Sequence, residues 1–148
     1  MPASNYKNIL IAVELSPKSD RRLIERACNL AKQNKAKITL VHAIEHIASY
    51  SSAAYGIASI DPEIESILLK RATKEMEKLA AKLGVPKKNQ LVNVGSAKFV
   101  VLEEAERFKA DLIVIGSRGR EGIRILLGST ANAVLHSAKC DVLAVRIK

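Results

Sequence analysis

The chain has 148 residues, enough for one domain around a single core, and with 48% apolar but only 3% aromatic residues that core must be aliphatic. No apolar stretch reaches the roughly 18–20 residues that span a bilayer, and residues 1–7 lack the apolar run of a signal peptide, so the expectation is a soluble, cytoplasmic protein with no membrane partner. The net charge is +9, but the densest basic group on one element, Lys70, Arg71, Lys74, Lys78 and Lys82, alternates with Glu65, Glu75 and Glu77; that pattern describes a solvated helix face and argues against nucleic acid as a partner.

Residues 8–14 form a mostly apolar, β-branched run that reads as a buried strand. Ser16-Pro17 then offers an N-cap followed by proline at the first helical position, and Leu23, Ala27, Leu30 and Ala31 make one apolar stripe. Residues 37–44 are a second strand, and residues 45–60 read as a long loop of weak periodicity. Asp61-Pro62-Glu63 starts a helix whose candidate core face is Ile64, Ile67, Leu68, Ala72, Met76, Leu79 and Leu83, and Gly84 with Pro86 ends it. Residues 89–95 are a short strand. Residues 97–109 are a helix with Phe99, Val100, Leu102 and Ala105 as candidate core positions. A strand over 111–115 follows, then a glycine-spaced segment, a helix with Ala131, Val134, Leu135 and Ala138 at helical spacing, and a last strand over 141–147. Strands alternating with helices imply an α/β fold, a parallel sheet covered on both faces. Nothing in the pattern breaks the chain into two domains.

The glycine-spaced segment is the most informative stretch. Gly116-Ser117-Arg118-Gly119 is separated from Gly128-Ser129-Thr130 by the eight residues 120–127. It runs from a strand end to a helix start, where unpaired backbone N–H groups and the positive end of a helix dipole suit a phosphate. Arg118, Arg120 and Arg124 add guanidinium groups, whose paired donors match phosphate oxygens. In a parallel sheet of this kind ligands lie at the carboxyl ends of strands where the strand order reverses, so the ends of the first strand, at Glu14, and of the fourth, at Gly116, are expected to share one crevice.

These residues resemble the universal stress protein family in its single-domain form, over nearly the whole length. The resemblance is carried by residues 8–19, 38–43 and, most specifically, 110–122 and 126–146. It implies a three-layer α/β/α fold, Rossmann-like and akin to the adenine nucleotide alpha hydrolases, with a five-stranded parallel sheet of order 3-2-1-4-5. It also implies a site for ATP, or ADP or AMP, with or without magnesium, in a protein that senses or regulates the response to stress through unknown protein partners. Nucleotide-binding members carry Gly-x-x-Gly, nine residues, then Gly-Ser/Thr. Gly116, Gly119, Gly128 and Ser129 match that pattern with an eight-residue spacer, and Gly122 lies within it. By the match, Gly119 and Gly128 wrap the phosphates, Ser129 and Thr130 donate at the helix start, and Ser117 and Arg118 contact ribose or phosphate. Ala12, Val13 and Glu14 occupy the first-strand end that contacts the nucleoside, with Glu14 where those members usually carry Asp. Val41 would pack near the adenine. The family commonly pairs through the last strand, so a two-fold homodimer is expected through the run from Val142 to Ile147.

Catalytic apparatus is not evident. His42, His46 and His136 show no metal-ligand spacing, Gly-x-Ser-x-Gly is absent, and no Walker-type loop supplies a lysine for fast phosphoryl transfer. Cys28 and Cys140 form no CxxC pair and read as buried, reduced thiols. Asp111 reads as a turn or cap residue. Two alternatives stay open: an interaction protein of the same fold that binds no nucleotide, and a slow hydrolase or self-phosphorylating protein using Ser129 or Thr130.

Overall fold

A computed structural model of the chain describes residues 5–45, 62–117 and 128–147. Five strands, β1 (Asn8–Ala12), β2 (Lys37–Ile44), β3 (Gln90–Val94), β4 (Leu112–Ser117) and β5 (Asp141–Arg146), alternate with four helices, α1 (Pro17–Asn34), α2 (Pro62–Leu83), α3 (Ala97–Arg107) and α4 (Ser129–Ser137). All strand pairs are parallel and the order is β3-β2-β1-β4-β5, the α/β arrangement expected.

The central strands show why the sheet is parallel and doubly covered. Ile9, Leu10 and Ile11 of β1 and Ile113 and Val114 of β4 have essentially no exposed surface on either face, so their sequence has no polar alternation. On one face Ile9, Ile11 and Leu40 pack with Leu23, Ala27 and Ala31 of α1 and Met76 and Ala80 of α2. On the other, Leu10, Val41 and Ile113 pack with Val101 and Ala105 of α3 and Ala131 and Val134 of α4. Each fully buried Leu or Ile contributes about 1.5–3 kcal/mol relative to exposure. Asp111 joins the starts of two strands, accepting from the backbone N–H of Lys7 at 2.8 Å and of Asn8 at 3.1 Å; it is the cap its position suggested.

Several expected core positions lie outside the core. Ile64, Ile67 and Leu68 at the start of α2 are exposed, while Met76 and Ala80 are buried. The helix has 22 residues, about 33 Å, and β3 beneath it has five, about 17 Å, so the first turns outrun the strand. Phe99 is 65% exposed because α3 buries Val100, Val101, Glu104 and Ala105, a stripe that leaves position 99 on the flank beside Lys98. Leu135 is likewise exposed, since α4 buries only Ala131 and Val134. Cys28 and Cys140 are free and half-buried rather than buried, and burial still pushes both thiols up. Glu104 is a buried carboxylate that the sequence did not mark; it accepts from Asn93 Nδ2 at 3.1 Å and so ties α3 to the edge strand β3.

Candidate functional site at the carboxyl ends of the strands

The chain leaves β1 toward β2 through α1 on one face and reaches β4 from β3 through α3 on the other, so the order reverses between β1 and β4. Their carboxyl ends flank the crevice where open parallel sheets bind ligands.

On the β1 side the strand ends at Ala12, two residues before the expected Glu14, although the Val13 N–H still donates to the Val41 carbonyl at 2.9 Å. The chain then turns at Leu15, whose φ of 62° lies in the left-handed region that costs a side-chain-bearing residue about 1–2 kcal/mol. Asp20 offsets this. From inside the first turns of α1 its carboxylate accepts from the backbone N–H of Glu14 at 2.9 Å, Leu15 at 2.8 Å and Ser16 at 3.3 Å. Asp20 is 2% exposed, and burial pushes its carboxyl above the usual range against the pull of those three N–H groups. Pro17 opens α1 as expected, but Ser16 makes no side-chain capping bond; Asp20 instead reaches back from the helix to the N–H groups that precede it. Asp20 was not among the expected site residues; its signal in the sequence is an acidic residue four places after the Ser16 cap position.

On the β4 side the strand continues through Gly116 and Ser117, paired with Val145 and Arg146, so Gly116 and Ser117 belong to the sheet and not to the loop in which they were expected. The Ile147 N–H donates to the Ser117 carbonyl at 3.1 Å. A Cβ on Gly116 would collide with Ile147 Cδ1 and stand 3.2 Å from its Cγ1; the missing side chain makes room for Ile147. Gly128 is the N-cap of α4 with φ −56°, ordinary backbone that any residue adopts. The first-turn N–H groups of α4, from Ser129 and Thr130, have no intrahelical acceptor.

Between these ends lies a cavity of about 170 Å³. It brings together six of the expected residues: Ala12, Val13, Glu14, Val41, Gly116 and Thr130. Ser117, Gly128 and Ser129 are nearby in sequence but outside its lining, and Arg118, Gly119, Arg120, Gly122 and Arg124 lie outside the described residues, as do residues 46–60 of the expected loop. Lining residues not foreseen include Asp20, Glu45, Ala97 and Ile147. Among the described residues no Lys or Arg lines the cavity, whereas Glu14, Asp20 and Glu45 do, and no three His, Cys, Asp or Glu side chains gather to hold a metal ion. His42 also lines it, with Nδ1 2.8 Å from the Val13 carbonyl oxygen. Among the described residues no helix is long and apolar enough to cross a membrane.

A doubly wound sheet with a glycine-bordered crevice at its switch point defines a class of ligand-binding α/β domains. The sequence matches the model of the Universal stress protein family over residues 5–146, and the chain belongs to that family. It is 53% identical over 144 residues to universal stress protein A homolog 2 of Coxiella burnetii, covering 97% of each chain. It is 42% identical over 147 residues to homolog 1 of the same organism, covering 97% of this chain and 99% of the relative. Among solved structures it superimposes on the hypothetical protein MJ0577 with a TM-score of 0.77 at 23% identity, covering 98% and 99% of the two chains. A universal stress protein in complex with cAMP aligns with a TM-score of 0.61 at 25% identity, covering 98% of this chain and 100% of that one.

Proposed function

We propose that this protein binds an adenine nucleotide, ATP first, in the crevice between β1 and β4, and acts in the cytoplasm as a stress-response sensor or regulator. One observation carries the proposal. The cavity sits at the switch point and is lined by Ala12, Val13, Glu14, Val41, Gly116 and Thr130, drawn from β1 and the turn after it, β2, β4 and α4, segments far apart in sequence. Apolar Ala12 and Val41 suit a base, Glu14 suits a ribose hydroxyl, and the open N–H groups of the first turn of α4 suit phosphate. The acidic lining requires that the phosphates lie away from Glu14, Asp20 and Glu45, toward the first turn of α4. The cAMP complex of a family relative supports a nucleotide as the ligand class. Equilibrium dialysis with ATP, ADP and AMP tests the proposal: saturable binding is expected, and no binding at millimolar nucleotide overturns it.

A second reading, an interaction protein of the same fold without nucleotide, is favoured by Ile147, which packs onto Gly116 and narrows the crevice. Nucleotide carried through purification without any added decides against it. We further propose a two-fold dimer through β5, an apolar edge strand. Sedimentation velocity at micromolar protein is expected to give a dimer, and a monomer overturns this.

A further inference from the structure

His42 is fixed in a way that leaves half of its imidazole for a ligand. Val41 is the last β2 residue paired with β1, through Ala12, so the Val13 carbonyl lies one step beyond the ladder. Nδ1 of His42 meets that carbonyl oxygen at 2.8 Å. A carbonyl oxygen only accepts, so Nδ1 carries a proton, and in the neutral ring Nε2 is then an acceptor. The described residues offer Nε2 no partner, and no buried side-chain nitrogen among them is left unpaired, so Nε2 faces solvent. The ring lines the cavity at the switch point. Among the described residues the charged groups sharing that lining are the carboxylates Glu14, after β1, Asp20 of α1 and Glu45, after β2, all acceptors when ionised.

We infer that His42 is a specificity-determining residue of this cavity, its Nε2 accepting a hydrogen bond from an O–H or N–H group of the bound nucleotide. This rests on the nucleotide proposal above. The Val13 carbonyl holds the ring in one tautomer and one orientation, so the acceptor is presented without a rotamer search, and a ligand lacking the donor leaves it unpaired. The donor is a ribose hydroxyl or the exocyclic amine of adenine.

The test uses the full chain. In protein with labelled imidazole nitrogens, the free protein is expected to show the tautomer protonated at Nδ1, and saturation with ATP to shift the Nε2 resonance. His42→Asn keeps an amide donor near the Val13 carbonyl but removes the Nε2 position; it is expected to retain thermal stability and lose roughly three- to tenfold in ATP affinity, the worth of one hydrogen bond. Binding of dATP and 3′-deoxy-ATP, which lack one ribose hydroxyl each, and of ITP, which lacks the exocyclic amine, identifies the donor: the gap between wild type and variant closes for the analogue without it. Equal ATP affinity in both proteins with an unmoved Nε2 resonance overturns the role of His42 alone. No ATP binding by the wild type overturns this inference together with the nucleotide proposal.

Discussion

Gly116 and Ile147 form the contact on which the mouth of the crevice depends. The strand backbone at Gly116 carries no left-handed φ, so the glycine is there for space, and Ile147 takes that space. Gly116→Ala is expected to destabilise the fold by about 1–3 kcal/mol, because the new methyl pushes Ile147 aside. Ile147→Ala in the same chain relieves the clash, so the two substitutions combine to less than the sum of their separate losses. A double-mutant cycle in urea checks this, and strict additivity rules the contact out as the cause. The glycine was visible in the sequence as part of a spacing pattern. Its partner was not, because Ile147 is 31 positions later and becomes a neighbour only through the pairing of β4 with β5.

Among the elements, α2 is where periodicity and burial part. Its apolar face reads as continuous from Ile64 to Leu83, yet only the half that lies over β2 and β3 is covered. Met76→Ala is expected to cost about 2–4 kcal/mol, a fully buried side chain exchanged for a cavity. Ile67→Ala, at a site 59% exposed, is expected to stay within about 0.5 kcal/mol. Chemical denaturation of both variants measures the contrast, and equal losses would show that the start of the helix is packed. An amphipathic repeat states which face of a helix turns inward, but the length of the strand below decides how much of that face meets the sheet. The same limit applies to Phe99 and Leu135: each sits beside a true core stripe, and a neighbour on the helical wheel is not distinguishable by spacing alone.

For the whole molecule, Tyr6 links segments far apart in the chain. Its hydroxyl donates to Asp141 Oδ2 at 2.8 Å and its backbone N–H donates to Asn34 Oδ1 at 3.1 Å, joining the segment before β1 to β5 and to the end of α1. The hydrogen bond to Asp141, then burial and the nearby negative charges, raise the Tyr6 phenol above its ordinary value. A raised folded value means the neutral phenol is favoured by the fold. The stability it contributes is fully present below the unfolded value near 10 and is lost as pH rises through the higher folded one. Tyr6→Phe is therefore expected to lower Tm by about 1–2 °C at pH 8, with the deficit closing as pH rises well above 10. Thermal melts across that range test it, and a deficit independent of pH would assign the loss to packing. Local sequence was enough to determine the main helices and strands of this protein, the aliphatic character of its core, its fold class and the end of the sheet where the cavity lies. Apolar runs, helix starts and glycine spacing report local backbone and burial preferences, and the match to the universal stress proteins spans nearly all of them. Only the tertiary structure decided that Gly116 serves Ile147, that Asp20 holds the turn after β1, and that His42 fastens to Val13. The first and last of these pairings are made across strands, where a side chain's partner is set by register and crossover and leaves no periodic trace in the chain, whereas Asp20 bonds within six residues and leaves only an acidic residue four places after Ser16.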